Sequence, residues 1–326
     1  MGVAAQPAPA TLPLVERSNE FSVRMGAAIL DKLGDLFPGP AAAREERIGA
    51  RPGTPEWGRA YARDQFMHKI RHGSLLAGAQ PPLIGRDVLE IGCGHGGITC
   101  YFASVGARRA VGIDLELTHV EYGRELAQEL GAAGGRSLPV AFLEMDAASM
   151  SFADSTFDVV VAENAFEHFA DPAAVMGESF RVLRPGGMLL VPVFSSLKSK
   201  YGLHLKRGLR VPWANIVFRE PAIVEAVRRR AARDPSLGAT YPGLARGART
   251  VRDLRRHRDL NDITYSRFRH LAQACGFVVE SFRVHHTVIG RVAERLVRGP
   301  LPGELDDVLS TGAGAVLRKP TSVHTG

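Results

Sequence analysis

Short apolar runs alternate with helical stretches through most of the chain from Asp87 onward. This alternation is typical of βαβ units, in which helices join parallel strands. The pattern predicts strands at Val88–Ile91, Ala110–Ile113, Val140–Met145, Phe157–Val161, Met188–Val193, Phe277–Val284 and Ala313–Leu317. It predicts helices between them, at Gly97–Ser104, Thr118–Leu130, Ala173–Val182 and Thr264–Cys275. We therefore expect an α/β fold built on a largely parallel sheet.

Two further helices are predicted ahead of the sheet. Residues 1–20 are rich in alanine and proline, which predicts a disordered N-terminus. Apolar positions at helical spacing predict one helix over Phe21–Leu36 and a second over Trp57–Ile70. We expect residues 21–80 to form a helical lid beside the sheet.

The stretch from Phe194 to Asp262 breaks the alternating pattern, and it lies where a short connection would suffice. Connections of such length usually carry function. We interpret residues 194–262 as a helical insertion that caps the core, and we call this segment the cap.

Charge and cysteine content indicate which partners and which cellular compartment to expect. The chain of 326 residues is 45% hydrophobic and carries a formal net charge of +7, most of it from arginine. The densest basic run, Lys206–Arg258, fits a solvated helical face, an anionic substrate or nucleic acid. Cys93, Cys100 and Cys275 form no C-x-x-C pair, which favours a reducing, cytoplasmic compartment. Neither a signal peptide nor a membrane span is predicted.

The stretch VLEIGCGHGG contains Gly92, Gly94 and Gly97 in the spacing G-x-G-x-x-G. A strand followed by such a loop and a helix lets a ligand approach the backbone closely. Asp114 ends the next predicted strand, where a carboxylate can accept hydrogen bonds from a ribose diol. These features predict a nucleoside ligand, and they leave open whether it carries a pyrophosphate.

Two more acids argue against a pyrophosphate. Glu90 lies two positions before the first glycine, where a carboxylate suits the ammonium of an amino acid. Asp146 follows the third predicted strand and can accept a hydrogen bond from an adenine amino group, with the Ala147 backbone alongside. The segment FDVVVAENAFEHF and the turn LRPGG then lead into the fifth strand.

In combination, EIGCG, GID, DA, FDVVVAEN and LRPGG resemble the class I S-adenosylmethionine-dependent methyltransferase family over about Asp87 to Val193. The resemblance implies a Rossmann-like seven-stranded sheet, with six parallel strands and one antiparallel strand and helices on both faces. It implies S-adenosyl-L-methionine as the cofactor, bound at the carboxyl ends of the first strands. Residues 81–193 would be the donor-binding core, residues 194–262 the acceptor-binding cap, and residues 263–326 the completion of the core.

The resemblance also implies which residues hold the donor. The methionine part would contact the glycine loop and the preceding acid, with the Glu163 backbone nearby. The ribose and adenine would contact the end of the second strand, and the adenine edge would contact the end of the third. The implied cofactor-binding residues are Glu90, Gly92, Cys93, Gly94, Asp114, Leu115, Asp146, Ala147 and Glu163. His95, in the same loop, is expected to be a solvated residue. Residues 21–80 would cover the donor.

Two histidines are candidate general bases for a hydroxyl acceptor. A methyl group on a sulfonium is already activated, so the protein chiefly holds the nucleophile in line and accepts its proton. His168 follows the fourth strand in ENAFEHF, and His204 opens the cap in KSKYGLHLKRG. Tyr201, Trp213 and Phe218 are candidate walls of the acceptor pocket, although VPWANIVF is also typical of a small helical core.

No metal site is expected from spacing along the sequence. His285 and His286 would point to opposite faces of a strand, and Asp306-Asp307 has no evident partner at ligand spacing.

The function we expect is methyl transfer to a small-molecule acceptor, at a hydroxyl oxygen, in a biosynthetic pathway. N- or C-methylation of a small molecule or lipid stays open, since AFEHF also resembles the cyclopropane synthases. An RNA methyltransferase, a dehydrogenase and a non-catalytic binding protein also stay open. Nucleic acid is not the expected partner, because the fourth strand lacks an Asn/Asp-Pro-Pro-aromatic exit and no Pro-Cys nucleophile is present. Homo-oligomerisation stays open.

Overall fold

A seven-stranded sheet forms the centre of the protein, in the order β3-β2-β1-β4-β5-β7-β6. The computed structural model describes residues 14–36, 47–73, 83–205, 209–254, 260–297 and 299–321. The strands are β1 (Asp87–Ile91), β2 (Arg109–Asp114), β3 (Val140–Glu144), β4 (Phe157–Val161), β5 (Leu183–Phe194), β6 (Val278–His286) and β7 (Ser310–Arg318). Only β7 runs antiparallel to its neighbours, β5 and β6. The predicted fold class is confirmed.

Helices cover both faces of the sheet and fill the cap. They are α1 (Leu14–Leu36), α2 (Pro55–His72), α3 (Gly97–Ser104), α4 (Leu117–Gly134), α5 (Pro172–Val182), α6 (Ala214–Val217), α7 (Glu220–Arg233), α8 (Ser236–Thr240), α9 (Tyr265–Ala274), α10 (Val288–Val297) and α11 (Glu304–Val308). Short 3₁₀ turns lie at Phe166–His168, Pro242–Leu244 and Arg252–Leu254. None of these described helices combines the length and apolar character that crossing a bilayer requires.

The central strands are buried on both faces, which explains their continuous apolar runs. In β1, Leu89 belongs to the apolar cluster on one face and Val88 to the cluster on the other. Val160 and Val159 divide in the same way in β4. Periodicity located these strands closely; β5 begins earlier than predicted because Leu183 already pairs with β4.

The two N-terminal helices pack against different parts of the protein. α2 begins at the Thr54 cap, whose side chain accepts the Trp57 N–H, and ends at Gly73 with φ of 62°. It packs on α3 so closely that a Cβ at Gly97 would collide with the Ala62 carbonyl and the Phe66 nitrogen. α2 is therefore fixed to the core beside the glycine loop.

α1 packs on the cap instead. Its buried residues Ala27 and Leu30 join an apolar cluster with Val224 and Val227 of α7. The segment 21–80, expected to form one lid, is thus divided between cap and core. α1 starts at Leu14, directly after Pro13, so residues 14–20, which the sequence assigned to the disordered N-terminus, are part of a helix in the structure. Residues 1–13 lie outside the described residues.

The arginines of α7 hold α1 in place. Arg230 Nη1 lies 3.1 Å from Asp31 Oδ1, and Arg233 pairs with the same carboxylate. Arg228 and Arg229 pair with Glu225 within the helix. The sequence RRR therefore forms ion pairs that stabilise the cap, a role that the basic run alone did not indicate. Residues 206–208 and 255–259 of that run lie outside the described residues.

We expect Asp31→Asn to lower the free energy of unfolding by about 1–2 kcal/mol at pH 7, because the nearly buried carboxylate accepts charge-assisted hydrogen bonds. Hydrogen bonding from Arg233 is the main cause that lowers the pKa of Asp31, against burial that raises it. A lowered pKa means that the contribution is present at neutral pH and is lost as the pH falls below the unfolded value of 3.8. Denaturant unfolding of both proteins across this pH range measures the difference.

Glu20→Gln is the matched control, since Glu20 and Arg24 form an exposed pair on the same helix. Exposed pairs contribute little, so this variant is expected to unfold like the parent protein. An equal loss of stability in the two variants would contradict the role given to Asp31.

Candidate functional site

The glycine loop, Gly92–Gly97, leaves the carboxyl end of β1. Gly92 and Gly94 have φ of 67° and 51°, a left-handed conformation that favours glycine. A Cβ on Gly92 would lie 3.0 Å from the Ala165 Cβ, so this glycine permits packing against the segment after β4. A Cβ on Gly94 would meet no atom within 4 Å, so Gly94 faces open space. The loop therefore presents backbone that a ligand can approach.

Asp114, at the carboxyl end of β2, is joined to this loop. Its Oδ2 accepts the Gly94 N–H at 2.8 Å, and its Oδ1 accepts the Glu116 N–H at 3.0 Å. Burial acts to raise the pKa of Asp114, but the contact with His119 and the two amides outweigh it and lower the pKa. An ionised carboxylate is thus held where the sequence predicted an acceptor for a ribose.

Glu90 is almost fully buried at the base of the glycine loop, and it accepts a hydrogen bond from the Thr99 hydroxyl. Burial raises the pKa of Glu90 to about 8. The carboxyl group therefore holds a proton at neutral pH in the ligand-free protein, and a cationic ligand would favour its ionisation.

A lysine from α2 reaches the same region, which the sequence analysis did not anticipate. Lys69 Nζ lies 2.6 Å from Glu163 Oε2, and both side chains are largely buried. Lys69 and Glu163 are far apart in the sequence, so only the folded chain reveals the pair. Glu163, expected beside the methionine part of the donor, thus forms an ion pair with a lysine of α2.

The remaining predicted donor residues surround the ends of β1, β2 and β3. Leu115 is 55% exposed despite its size, as expected of an apolar surface that a base can cover. Asp146 Oδ1 caps a turn by accepting the Ala148 N–H, and Ala147 is buried. Cys93 is buried, and burial raises the pKa of its thiol well above the usual value. Their contact with a donor stays a prediction.

His95 is not a solvated loop residue. Its ring stacks on Tyr122 with centroids 5.4 Å apart and meets Trp57, Tyr61 and His119 at its other sides. Burial lowers the pKa of His95 to about 3, so the ring is neutral. The expectation failed because aromatic side chains of α2 and α4 pack against this ring, whereas the N-terminal lid was expected over the donor.

The two candidate bases lie in contact, together with a carboxylate. His204 Nδ1 lies 3.2 Å from His168 Nε2, and His204 Nε2 lies 3.6 Å from Glu167 Oε1. Glu167 is buried and accepts the Ser195 N–H at 3.2 Å. We call Glu167, His168 and His204 the Glu-His-His cluster. The fold thus unites two residues that the sequence could only nominate separately, and it adds Glu167.

The cluster lies next to the glycine loop. Its 3₁₀ turn, Phe166–His168, directly follows Ala165, which faces Gly92. The Asn261 side-chain amide donates to the carbonyls of Phe166 and Phe169, at 2.7 and 2.8 Å, and closes the turn. The cap thereby holds the turn at both ends, since His204 comes from its start and Asn261 from its end.

Two of the three predicted pocket walls lie near the same lysine: the Lys200 ammonium is 5.2 Å from the Tyr201 ring centroid and 5.8 Å from the Trp213 ring centroid. Tyr201 packs under Arg210, whose guanidinium carbon lies 4.5 Å from the ring centroid. Trp213 Nε1 donates to the Val308 carbonyl at 2.7 Å, and Phe218 packs on the apolar cluster of the cap. These contacts are those of a small helical core, and acceptor binding by Tyr201, Trp213 and Phe218 stays a prediction.

Spacing along the sequence predicted no metal site, but the fold brings together side chains that could hold a metal ion. One ligand atom from each member of the Glu-His-His cluster lies within 4.8 Å of the others. Asp306 also has a partner, because its Oδ1 lies 2.8 Å from His286 Nε2. Both groupings join residues that are distant in the sequence, so spacing could not reveal them.

Comparison with known proteins agrees with the position of the glycine loop. Residues 89–191 match the family profile described as a methyltransferase domain. Phosphoethanolamine N-methyltransferase 1 of Triticum aestivum is 35% identical over 107 residues, which are 33% of this chain and 20% of that protein. Sterol 24-C-methyltransferase of Eremothecium gossypii is 34% identical over 134 residues, 41% of this chain and 35% of that protein. Ubiquinone biosynthesis O-methyltransferase of a Methylobacterium species is 31% identical over 144 residues, 44% of this chain and 54% of that protein.

The chain thus spans between a fifth and about half of the length of these relatives. The family match ends before residue 194, so it includes the glycine loop, Asp114 and Glu163 and leaves the cap outside.

Asp114→Ala is expected to weaken binding of S-adenosylhomocysteine by about 10- to 100-fold, because it removes an ionised acceptor at the end of β2. Isothermal titration calorimetry measures the affinity. Asp262→Ala, which removes an exposed aspartate paired only with Arg267 in the described contacts, is the control and is expected to bind like the parent protein. Tighter binding of a nicotinamide dinucleotide by the parent protein would contradict the assignment of the loop.

The protonated state of the Glu90 carboxyl predicts that ligand binding releases a proton. At pH 7 the free carboxyl is protonated, and a bound ammonium would ionise it, so affinity should rise with pH towards about 8 and then level off. Calorimetry of S-adenosylhomocysteine in phosphate and Tris buffers measures the proton released. Glu90→Gln keeps a partner for Thr99 and should abolish the buffer dependence; a persistent dependence would assign the proton to another group.

Proposed function

We propose that this chain, whose residues 89–191 are a methyltransferase domain of the class I S-adenosylmethionine-dependent family, transfers a methyl group from S-adenosyl-L-methionine to a hydroxyl oxygen of a small-molecule acceptor. The single observation that carries the choice of a hydroxyl is the Glu-His-His cluster beside the glycine loop. The relatives named above carry N-, C- and O-methyltransferase names, so their names do not choose among acceptor atoms.

The residues at the carboxyl ends of the strands fit the donor. Gly94 leaves open space at the loop, Asp114 offers an ionised acceptor, and Glu90 and Glu163 suit an ammonium. When bound, the donor supplies a methyl group on a positively charged sulfur. An amino acid bound here would find a partner of opposite charge for each of its charged groups: Glu163 for the ammonium and Lys69 for the carboxylate.

The histidine pair provides for the proton of the acceptor. A neutral hydroxyl is a weak nucleophile, so its proton must be accepted as the new bond forms. One proton shared between His204 Nδ1 and His168 Nε2 fits their separation of 3.2 Å. The Glu167 carboxylate, 3.6 Å from His204 Nε2, stabilises the resulting positive charge. The protein thereby orients the nucleophile and accepts its proton.

The cap supports a small acceptor rather than a polymer. Arg228, Arg229 and Arg230 have carboxylate partners, so this part of the basic run is not a free cationic surface for nucleic acid. A biosynthetic role remains part of the proposal and rests on the elaborate cap.

Release of S-adenosylhomocysteine with phenol, amine and alkene acceptors tests the proposal. Turnover confined to hydroxyls supports it, and turnover with amines or alkenes alone contradicts the proposed acceptor atom. Donor binding without turnover of any acceptor supports a non-catalytic protein instead.

His204→Ala is expected to lower kcat about 100-fold or more with a hydroxyl acceptor, while the affinity for S-adenosylhomocysteine stays unchanged. His168→Ala should have a similar effect, and the double variant should be little worse than either, because the two rings act as one unit. His285→Ala, on the exposed side of β6, is the control. Unchanged turnover in His204→Ala would return this histidine to a packing role.

A further inference from the structure

We infer that the Glu-His-His cluster is a binding site for a divalent transition-metal cation, which takes the hydroxyl oxygen of the acceptor as an additional ligand. This inference rests on the proposed function, and it changes the part given there to the histidines: as ligands of the cation they make the hydroxyl acidic, and they do not themselves accept its proton.

The spacing of the three side chains fits a common cation. Their ligand atoms lie within 4.8 Å of one another, and His204 Nδ1 is 3.2 Å from His168 Nε2. Two imidazole nitrogens that each lie about 2.1 Å from one cation, at tetrahedral or right angles, are roughly 3.0–3.4 Å apart. The histidines therefore already have the separation that a shared cation requires. Glu167 Oε1 lies 3.6 Å from the other nitrogen of His204, Nε2, so its side chain must move towards Nδ1 to share the cation.

Contacts outside the cluster hold its three residues in place. Glu167 and His168 belong to a 3₁₀ turn that Asn261 closes through two carbonyls. The Ser195 N–H orients the Glu167 carboxylate. His204 has φ of 52°, a conformation rare for a residue with a side chain, and its N–H donates to the Tyr201 carbonyl. Such strain at a side chain that faces two polar partners is typical of functional sites.

The chemistry of the ligands selects the class of cation. Two imidazoles and one carboxylate suit Zn²⁺, Mn²⁺, Fe²⁺ or Co²⁺, whereas Mg²⁺ and Ca²⁺ prefer oxygen ligands. Three protein ligands leave at least one position open, as in catalytic rather than structural sites. A hydroxyl of the acceptor can occupy that position.

The position of the cluster gives the cation a role. Ala165, just before the turn, faces Gly92 of the donor loop, so the cluster lies beside the proposed donor site. Bound to the cation, the acceptor O–H becomes more acidic, in the way that a bound water does. Its proton leaves to bulk water and the electron pair stays on oxygen. The O–CH₃ bond then forms as the S–CH₃ bond breaks, its electron pair returns to sulfur, and the cation keeps its oxidation state.

Metal binding can be measured without turnover. Chelator-treated protein is titrated with Co²⁺ and followed by visible absorption, and with Zn²⁺, Mn²⁺ and Mg²⁺ by calorimetry. We expect one equivalent of Co²⁺ or Zn²⁺ to bind, with Mg²⁺ at least about 100-fold weaker. His168→Ala and His204→Ala should each weaken Co²⁺ binding about 100-fold, and Glu167→Gln about 10-fold. His285→Ala should bind Co²⁺ like the parent protein, and unchanged S-adenosylhomocysteine affinity shows that each variant is folded.

The outcomes separate this inference from the proposed function. If no variant of the cluster changes Co²⁺ binding, or if the parent protein binds none, the metal site is overturned. If, in addition, chelator leaves hydroxyl methylation unchanged, the histidines act as bases and the proposed function stands alone. If Co²⁺ binds through the cluster but S-adenosylhomocysteine does not bind, the metal site stands and the proposed function fails.

Discussion

The parallel pairing of β1 with β4 is the constraint on which the candidate site depends. The chain winds from β1 to β2 and β3 on one side and from β4 to β5 on the other, so their carboxyl ends lie side by side where the direction reverses. The glycine loop leaves one strand and the turn of the Glu-His-His cluster follows the other. Contact between Gly92 and Ala165 keeps these segments together. The strand order alone therefore brings a donor site and an acceptor site side by side.

The part of the structure that follows from this pairing was predictable from the sequence. Runs such as Val88–Ile91 must be buried on both faces of a parallel sheet, and so they are continuously apolar and easy to locate. The positions of Glu90, Asp114 and Glu163 follow from the strands that carry them. The raised pKa of Glu90 did not follow, because it depends on burial by elements from other parts of the chain.

What the sequence could not predict depends on contacts between distant segments. Lys69 reaches Glu163, and Asp31 reaches Arg230, through helix packing that leaves no periodic signal in either segment. His204 and His168 were individually visible, but their contact depends on the path of the cap. His95 was misjudged because the side chains that surround its ring, Trp57, Tyr61 and Tyr122, come from two other helices. Motif and periodicity describe single elements, whereas these pairs are properties of packing.

The two tryptophans lie in different parts of the protein, so their fluorescence reports on each part separately. Trp57 stacks on Tyr61 and meets the edge of His95, so its indole belongs to the aromatic group over the glycine loop. Trp213, in the cap, donates to the Val308 carbonyl at the end of α11, with the Lys200 ammonium 5.8 Å from its ring. The chain has no other tryptophan. Intrinsic fluorescence therefore arises from one reporter on each side, and replacing either with phenylalanine lets the motions of loop and cap be followed separately in time.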